Sequence, residues 1–529
     1  MRAFEAIAAT LNRLGCDTAF GVLGSGNFHL VERLTSRHGV HYHWARQETG
    51  AVVMADAWAR VTRRVGVCSV HQGPGLTNAM TGIAEAAKAR TPLLVLAGEV
   101  ATTAAGVNQR IDQGALARAA GAGADRIACG RSAGADTVRA WRRTLGERRP
   151  IVLSLPVDVQ QQDGEPPDDV EVPSREPLGA PSAGAVQAVA ELAAAAERPL
   201  VLGGRGAIGA REPLEALAER LGALLATSAP AHGLFAGNSW SLGISGGFAS
   251  PRAQELLPQA DLVLAFGASL NHWTTRRGEL IRGRVVTFDS DPAALGVTAD
   301  AAAAATALAE ALPPREARAR WGMDSLPSPG WPEPPPPAPG TVHPQALMEA
   351  LDELLPPERM LVTDAGHFQG HPPMHLRVPD GGSFVMTQSF QSVGLGLATG
   401  IGTAIARPDR VTVAVVGDGG LMMALGELDA AAAARVPLLV VVVDDGAYGA
   451  EVHHFGPMGE PTRLVEFGLR DFAGVASALG VRAQTVRSLD DLDRMRGWLA
   501  ERDGPCLLDC KVDPEVRAEW LQEAFKGGA

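Results

Sequence analysis

The 529-residue sequence predicts an α/β protein built from three doubly wound, parallel-sheet domains. Short apolar runs that read as buried strands alternate with helical patterns from end to end of the chain. Two segments rich in proline interrupt this alternation, at 158–186 and 326–340, and the second is a polyproline spacer that cannot pack as a helix or central strand. We therefore predict domains over 1–157, 187–312 and 341–529, joined by linkers 158–186 and 313–340.

The composition is that of an ordinary soluble globular protein, with 46% hydrophobic and 20% charged residues. A formal net charge of −12 argues against nucleic acid as a partner. No apolar stretch approaches the ~20 residues that a membrane span needs, and residues 1–15 predict an amphipathic helix rather than a signal peptide. Five scattered cysteines fit a reduced, cytoplasmic compartment. We expect a cytoplasmic protein with no membrane contact.

In the first domain, predicted strands lead into turns and helices that carry polar residues. The predicted strands span 18–22, 41–46, 65–70 and 92–98. The first strand is followed by a glycine-containing turn at 23–27, and the third by a His-Gln-Gly-Pro-Gly turn at 71–75. A helix predicted from 47 to 60 begins next to Glu48. A carboxylate at that position could simply complement the helix dipole, or it could act in a site.

The middle domain repeats the same pattern, with predicted strands that begin near 199, 260 and 285. The first of them ends in Gly203-x-x-Gly206, which is too short for a full dinucleotide-binding fingerprint. We interpret it as a strand-to-helix turn rather than a nucleotide cradle. An alanine-rich tract near 298–312 predicts a surface helix without functional information.

The most informative local signal lies in the third domain, where two apolar runs each end in acidic residues and glycine. The run 411–416 is followed by Gly-Asp-Gly at 417–419, and the run 438–443 by Asp-Asp-Gly at 444–446. Parallel strands bring their carboxyl ends to one edge of a sheet. Mg²⁺ accepts one or two carboxylates there together with phosphate oxygens, and a helix N-terminus can bind the phosphates. We predict a metal–diphosphate site rather than two ordinary tight turns.

The order of these motifs resembles that of the thiamine-diphosphate enzymes over nearly the whole chain. The shared features are a glutamate at a helix start, Glu48, then a Gly-Pro-Gly turn at 73–75, a middle α/β domain and a terminal Gly-Asp-Gly domain. The branch that it resembles most contains acetolactate synthase, benzoylformate decarboxylase and benzaldehyde lyase. The resemblance implies thiamine diphosphate and Mg²⁺ as cofactors, with the pyrimidine bound by the first domain and the diphosphate by the third. It also implies a homodimer or homotetramer with active sites between subunits.

Cofactor-binding residues follow from the same resemblance. Glu48 matches the carboxyl that hydrogen-bonds the pyrimidine N1′ and so helps to activate the thiazolium ring. Asp418 and Asp445 match the side-chain metal ligands, with the backbone carbonyl of Ala447 as a third. The family usually has Asn-Asn where this chain has Asp444-Asp445, and the extra carboxylate would bind metal more tightly but repel diphosphate. Further cofactor contacts fall on Gly73, Gly75, Gly366, His367, Gln391, Val393, Gly417, Gly419, Gly420 and Tyr448.

Val393 matches the aliphatic residue that supports the bent cofactor, although a core valine would look the same in sequence. The resemblance places four residues near the substrate: Ser25, His71, Gln113 and His272. Two histidines near the reacting carbon would suit proton transfer. Each of these residues could instead be a loop residue with ordinary structural hydrogen bonds. His453 and His454 lie beyond Tyr448 in a predicted active-site lid.

The resemblance implies an enzyme that makes or breaks C–C bonds next to a carbonyl. The leading hypothesis is acetolactate-synthase-like decarboxylation of a 2-oxo acid with ligation to an aldehyde or keto acceptor. Simple 2-oxo acid decarboxylation or aldehyde lyase activity is the alternative, which Ser25 and His71 favour. A non-catalytic diphosphate-binding homologue is a third hypothesis. Acetolactate synthases also hold a flavin along the middle domain, and residues 203–206 leave room for FAD without requiring it, so FAD is not favoured.

Overall fold

The computed structural model describes residues 1–104, 106–171, 178–291, 296–313 and 320–525. It contains three six-stranded sheets, and every pairing between their strands is parallel. Hydrophobic cores lie on both faces of each sheet, where the helices pack. The predicted fold class, α/β with three doubly wound parallel sheets, is confirmed.

The first sheet contains β1 (Thr18–Gly21), β2 (His41–Trp44), β3 (Gly66–Val70), β4 (Leu93–Glu99), β5 (Gly123–Arg126) and β6 (Pro150–Pro156). Its helices are α1 (Ala3–Arg13), α2 (Phe28–His38), α3 (Glu48–Thr62), α4 (Pro74–Asn78), α5 (Met80–Lys88), α6 (Gln113–Ala119), α7 (Ala133–Glu147) and α8 (Val157–Gln160). The strand order is β2-β1-β3-β4-β6-β5. The order changes direction between β1 and β3, so the loops after these two strands lie where doubly wound sheets bind ligands.

The middle sheet contains β7 (Pro199–Gly203), β8 (Leu224–Ser228), β9 (Ser241–Ser245), β10 (Leu262–Phe266), β11 (Arg284–Asp289) and β12 (Val297–Thr298), in the order β12-β11-β10-β7-β8-β9. Its helices are α9 (Ala183–Ala195), α10 (Arg211–Leu221), α11 (Pro251–Leu256), α12 (His272–Thr275) and α13 (Ala301–Ala311). Helix α13 is the predicted alanine-rich helix. It is not only a surface element, because Ala304, Ala305 and Leu308 on one face are buried in the middle core.

The third sheet contains β13 (Arg359–Thr363), β14 (Phe384–Met386), β15 (Val411–Gly417), β16 (Leu438–Asp444), β17 (Arg482–Val486) and β18 (Cys506–Lys511). Its helices are α14 (Pro344–Leu354), α15 (His371–His375), α16 (Gly396–Ala406), α17 (Asp418–Met423), α18 (Glu427–Ala434), α19 (Gly449–Phe455), α20 (Phe472–Ala478), α21 (Arg496–Glu501) and α22 (Glu519–Phe525). The order β14-β13-β15-β16-β18-β17 repeats that of the first sheet. Strands β15 and β16 are buried on both faces, which explains their nearly unbroken apolar sequences.

The first and third sheets share one continuous hydrophobic core within the chain. Helix α3 packs on α16 through small and medium side chains, among them Ala51, Ala55 and Ile401. The helix that begins at Glu48 is therefore held against the third sheet of its own chain. The domain bounds themselves stay predictions; residues 326–340 contain no helix or strand, whereas α9 already begins inside the predicted first linker. Across the described ranges, none of the helices is both long and apolar enough to cross a membrane.

His232 joins the middle domain to the third. Its Nε2 donates to the Leu376 carbonyl oxygen at 3.3 Å, and its ring packs edge-on against Phe384. Burial lowers the pKa of His232 to about 4 from its ordinary value of 6.5. The ring is therefore neutral in the folded protein near neutral pH, and the unfolded chain binds a proton in the range between these two values.

We expect this histidine to make folding weaker in mild acid. Between pH 7 and pH 5 it should lower the free energy of unfolding by about 2 kcal/mol, because only the unfolded state gains the proton there. His232→Gln keeps a donor for the Leu376 carbonyl and should remove that part of the pH dependence. Denaturant midpoints of both proteins at the two pH values measure the effect, and identical pH dependence would contradict it.

Candidate active site

The two acidic turns that follow β15 and β16 lie side by side. Asp418 is the first residue of α17, and its Oδ2 accepts a 3.0 Å hydrogen bond from the Gly446 N–H. Asp445 and Ala447 flank Gly446 in the chain, and Asp445 Oδ1 accepts a 3.2 Å hydrogen bond from the Ala447 N–H. The structure thus brings together Asp418, Asp445 and Ala447, which are the three predicted metal ligands.

Electrostatics at this pair favour a bound cation. Burial, followed by the negative charges of Asp445 and Asp444, raises the pKa of Asp418 to about 8. Burial likewise raises the pKa of Asp445 to about 7. A divalent cation would neutralise both carboxylates, and two carboxylates with a backbone carbonyl are hard oxygen donors that suit Mg²⁺. No cluster of three or more His, Cys, Asp or Glu side chains suited to a metal occurs in the described part of the chain.

Gly446 makes the turn between the two carboxylates possible. Its φ of 73° lies in the left-handed region, and an added Cβ would sit 2.9 Å from the backbone carbon of Gly468. Its N–H also lies 3.1 Å from Asp444 Oδ1 and is shared between that oxygen and Asp418. The Asp-Asp-Gly sequence therefore fixes the approach of β16 to α17.

Asp444, the aspartate where asparagine was expected, is paired with a lysine. Lys511 Nζ lies 2.5 Å from Asp444 Oδ2 and 2.7 Å from Asp509 Oδ1, and it also donates to the Arg470 carbonyl. All three charged side chains are buried. Because Lys511 compensates the charge of Asp444, the expected repulsion between this extra carboxylate and a diphosphate is reduced.

We call Asp418 and Asp445 the metal pair, after their predicted role. The turn after β13 places a histidine beside this pair. His367 Nε2 lies 3.4 Å from Asp445 Oδ2, and the His453 ring of α19 lies 5.3 Å from the His367 ring. Burial, followed by the nearby His453, lowers the pKa of His367 to about 3, so this contact joins a neutral ring and a carboxyl group. His453 thus reaches the site, whereas His454 packs edge-on against Phe455.

The loop between β14 and α16 presents Gln391 and Val393. Val393 is 38% exposed, so it is not a core valine, and the alternative of a cofactor-supporting residue is favoured.

Asp364 is a buried residue that the sequence patterns above did not single out. It accepts hydrogen bonds from Gly394 N at 3.1 Å and Leu395 N at 3.2 Å. The signal for Asp364 was present, because it ends β13 as Asp418 follows β15. The remaining predicted contacts at this edge are Gly366 beside Phe368, Gly417, Gly419 against the Tyr448 ring, and Gly420 beside Asp364.

Glu48 lies on the first domain at the start of α3. It is half-buried, and its Oε2 accepts a 3.1 Å hydrogen bond from Asn78 Nδ2. Gly75 lies against the other carboxylate oxygen, and Gly73 precedes it at the start of α4. The structure therefore brings Glu48, Gly73 and Gly75 together, and their contact with the cofactor stays a prediction.

His71 lies at the end of β3 next to the turn that carries Ser25. Its Nδ1 accepts a 3.2 Å hydrogen bond from the Gly26 N–H. Its Nε2 lies 3.4 Å from Gln109 Nε2, and Gln109 Oε1 accepts from Gln72 Nε2 at 2.9 Å. Ser25 is exposed on the same turn. A group of neutral polar side chains thus surrounds His71.

Gln113 lies inside the first domain. Its Nε2 donates to the Gly98 carbonyl at 2.7 Å, and its Oε1 accepts from Ser154 Oγ at 2.9 Å, so both ends of the amide have buried partners. This geometry supports the structural alternative for Gln113. The glutamine that contacts His71 is Gln109, which the sequence reasoning missed; its signal was a polar loop after β4, at the same sheet edge as His71.

His272 is exposed at the start of α12 and lines a cleft of about 2130 Å³ between the three sheets. The same cleft is lined by Gly366, Gln391 and Val393. His272 therefore lies in the space that it shares with these residues rather than against the metal pair. Residues 203–206 pack on the end of β10: Gly204 N donates to Phe266 O at 2.8 Å and Gly206 N to Gly267 O at 3.0 Å. These bonds support the interpretation as a strand-to-helix turn.

Comparison with known proteins gives consistent results. The sequence matches the N-terminal TPP binding domain of thiamine pyrophosphate enzymes over residues 1–117, their central domain over 186–312 and their C-terminal TPP binding domain over 364–510. It is 31% identical to a probable 2-ketoarginine decarboxylase of Pseudomonas aeruginosa, over 93% of this chain and 91% of that protein. It is 29% identical to the acetolactate synthase large subunit of Parasynechococcus marenigrum, over 96% and 87%.

Among solved structures, the thiamine diphosphate-dependent 4-hydroxybenzoylformate decarboxylase of Rhodococcus jostii RHA1 superposes with a TM-score of 0.82. The alignment covers 97% of this chain and 99% of that one at 20% identity, which compares the folds only.

The pairing of Asp444 with Lys511 leads to a stability prediction. Lys511→Met should lower the free energy of unfolding by about 3 kcal/mol or more, because it leaves two buried carboxylates without their cation. Asp444→Asn keeps Lys511 paired with Asp509 and should be less destabilising. Denaturant midpoints of the wild type and the two variants measure this order, and a Lys511→Met midpoint equal to that of the wild type would refute it.

Proposed function

The chain belongs to the family of thiamine pyrophosphate enzymes, and on this premise we propose that it is acetolactate-synthase-like. It would decarboxylate a 2-oxo acid and join the remaining acyl unit to an aldehyde or keto acceptor. The observation that carries the cofactor-dependent chemistry of the proposal is the buried carboxylate pair of Asp418 and Asp445 at one ligand-binding edge, with Glu48 at the corresponding edge of the first sheet. The relatives that match over nearly the whole chain include an acetolactate synthase large subunit.

The residues at the two edges fit the two ends of the cofactor. When bound, thiamine diphosphate supplies a carbon nucleophile that adds to a carbonyl, and its ring accepts the electron pair that stays on the substrate carbon when CO₂ leaves. Asp418 and Asp445, with the Ala447 carbonyl, would hold Mg²⁺ against the diphosphate. Glu48 would hold a proton at the pyrimidine N1′, and its bond from Asn78 keeps the carboxylate in place.

At the substrate end, His71 and Gln109 are the groups that we propose to orient the 2-oxo acid and transfer protons. The Gly26 N–H holds His71 Nδ1, so the ring presents Nε2 towards Gln109. The amide groups of Gln109 and Gln72 can donate to a carboxylate or a carbonyl oxygen without adding charge. Simple 2-oxo acid decarboxylation or aldehyde lyase activity is the second candidate, because Ser25 and His71 adjoin one turn and could protonate the product.

We also propose a homodimer or homotetramer with active sites between subunits. Apolar side chains are exposed beside both halves of the site: Leu23 is 46% exposed next to the Ser25 turn, and Met423 is 60% exposed at the end of α17. Exposed apolar groups at a functional edge are typical of a protein interface.

The five cysteines are free, which supports our proposal of a cytoplasmic location. We propose no FAD, and a flavin absorption spectrum of the purified protein would contradict this.

The function is tested by product analysis with pyruvate, benzoylformate and an acceptor aldehyde. We expect CO₂ release and ligated product that require added thiamine diphosphate and Mg²⁺ and that stop on removal of the metal with a chelator.

Glu48→Gln should lower turnover by at least about a hundredfold while thiamine diphosphate still binds, since general acid–base groups contribute about that much. Normal turnover in that variant would contradict the role given to Glu48.

Gln109 and Gln113 form a matched pair of substitutions. Gln109→Ala should raise KM or lower kcat by about tenfold with an unchanged melting temperature, because it removes a contact of His71 at the open edge of the sheet. Gln113→Ala should instead lower the melting temperature, because it leaves the Gly98 carbonyl and the Ser154 hydroxyl without their partner. Steady-state kinetics and thermal unfolding of both variants decide this, and the reverse pattern would restore Gln113 as the active-site residue.

A further inference from the structure

Glu427, at the start of α18 in the third domain, contacts the backbone of the first domain. It is 2% exposed. Its Oε1 accepts hydrogen bonds from Arg46 N at 3.1 Å and from Gln47 N at 3.0 Å, and its Oε2 accepts from Arg46 N at 3.2 Å. These two residues immediately precede Glu48. Neither the metal pair nor the polar group around His71 uses this carboxylate.

The contact lies at the N-terminus of α3, where backbone N–H groups have no partner within the helix. A carboxylate from another domain accepts from the N–H of the N-cap residue Gln47 and from that of Arg46 just before it, and it complements the positive end of the helix. The fold makes room for it at Gly50, where an added Cβ would lie 2.4 Å from Glu427 Oε1. The first turn of α3 is therefore shaped around this side chain.

Burying a carboxylate between two domains is unfavourable unless it is fully hydrogen-bonded. Burial raises the pKa of Glu427 to about 7, and the backbone donors Arg46 and Gln47 oppose this rise. Apolar packing between α3 and α16 already joins the two domains. An ionisable group at this position therefore calls for a reason other than cohesion.

We propose that Glu427 is a positioning residue, which sets the orientation of Glu48 by fixing the backbone just before it. The inference deepens the proposed function and rests on the role of Glu48 in it. Glu427 follows the metal-binding helix α17 along the chain, so it ties the backbone ahead of Glu48 to the element that carries Asp418. Loss of its charge would let Glu48 turn without disturbing diphosphate binding.

The chain offers a matched control on the same helix. Asp429 of α18 pairs with the exposed side chain of Arg46 and not with the backbone. Such surface ion pairs contribute little. Asp429→Asn therefore removes an acidic contact to the same residue, while it leaves the two backbone N–H bonds of Glu427 in place.

The test uses the full-length protein in two measurements. In the first, hydrogen–deuterium exchange of a peptide covering residues 44–50, without cofactor, should be faster in Glu427→Gln and unchanged in Asp429→Asn. In the second, proteins saturated with thiamine diphosphate and Mg²⁺ are assayed for deuterium exchange at C2 of the bound cofactor by acid quench and NMR. Glu427→Gln should slow that exchange by about tenfold, the loss expected for one charge-assisted hydrogen bond, and Glu427→Asp should restore part of it. The dissociation constant of thiamine diphosphate should stay within about threefold of wild type.

A wild-type rate of C2 exchange in Glu427→Gln would overturn the inference, even if its amides exchange faster. Equal slowing in Asp429→Asn would also overturn it, because the effect would then come from charge rather than from the backbone contact. If Glu427→Gln does not fold, Glu427→Asp, which keeps the charge but shortens the reach, should show the same two changes to a smaller extent, and wild-type C2 exchange in it would overturn the inference. A wild-type protein that fails to bind thiamine diphosphate would instead refute the proposed function, so the two failures are distinguishable.

Discussion

Two carboxyl groups buried next to each other, Asp418 and Asp445, impose the strongest constraint on this structure. Their desolvation and mutual repulsion raise the free energy of the ionised site, and protons or a divalent cation must offset it. The fold accepts this arrangement because β15 and β16 are rigid, fully buried neighbours that end at the same edge. The left-handed turn at Gly446 is part of the same arrangement, since it brings the two strand ends within hydrogen-bonding distance. In the proposed function, the neighbouring loops can then bind the diphosphate that accompanies the cation.

The first and third sheets have the same strand order, and each contributes the loops at its change of direction to the site. Two buried glutamates link the domains of these sheets, one reaching from the third domain to the first and the other from the first to the third. Glu427 accepts from the backbone before Glu48, and Glu85 of α5 accepts from Ser389 N and Phe390 N on the loop that carries Val393. Each domain therefore holds the functional loop of the other, through backbone bonds that a change of side chain in the loop would not remove.

The sequence predicted what depends on local pattern. The fold class follows from alternating strand and helix signals, and Asp418 and Asp445 follow from their places at strand ends. Contacts between distant segments were not predictable in this way. Only the fold shows that Gln109, and not Gln113, contacts His71, because the two glutamines are four positions apart and the sequence does not show that Gln109 stays in the loop while Gln113 begins the buried end of α6. The exposure of Val393 also depends on packing around the 388–393 loop, which its own sequence does not specify.

The pairing of Asp444 with Lys511 shows how such a distant contact changes the chemical interpretation. Viewed alone, a third carboxylate beside the metal pair would oppose the approach of a diphosphate. Register places Asp444 opposite Lys511 of β18, and Lys511 is shared with Asp509, so one positive charge offsets part of the negative charge of two buried aspartates. Burial raises the pKa of Asp509, and the hydrogen bond and charge of Lys511 oppose that rise. The site can therefore carry aspartate in place of asparagine, because the compensating cation lies on the neighbouring strand and not in the substrate space.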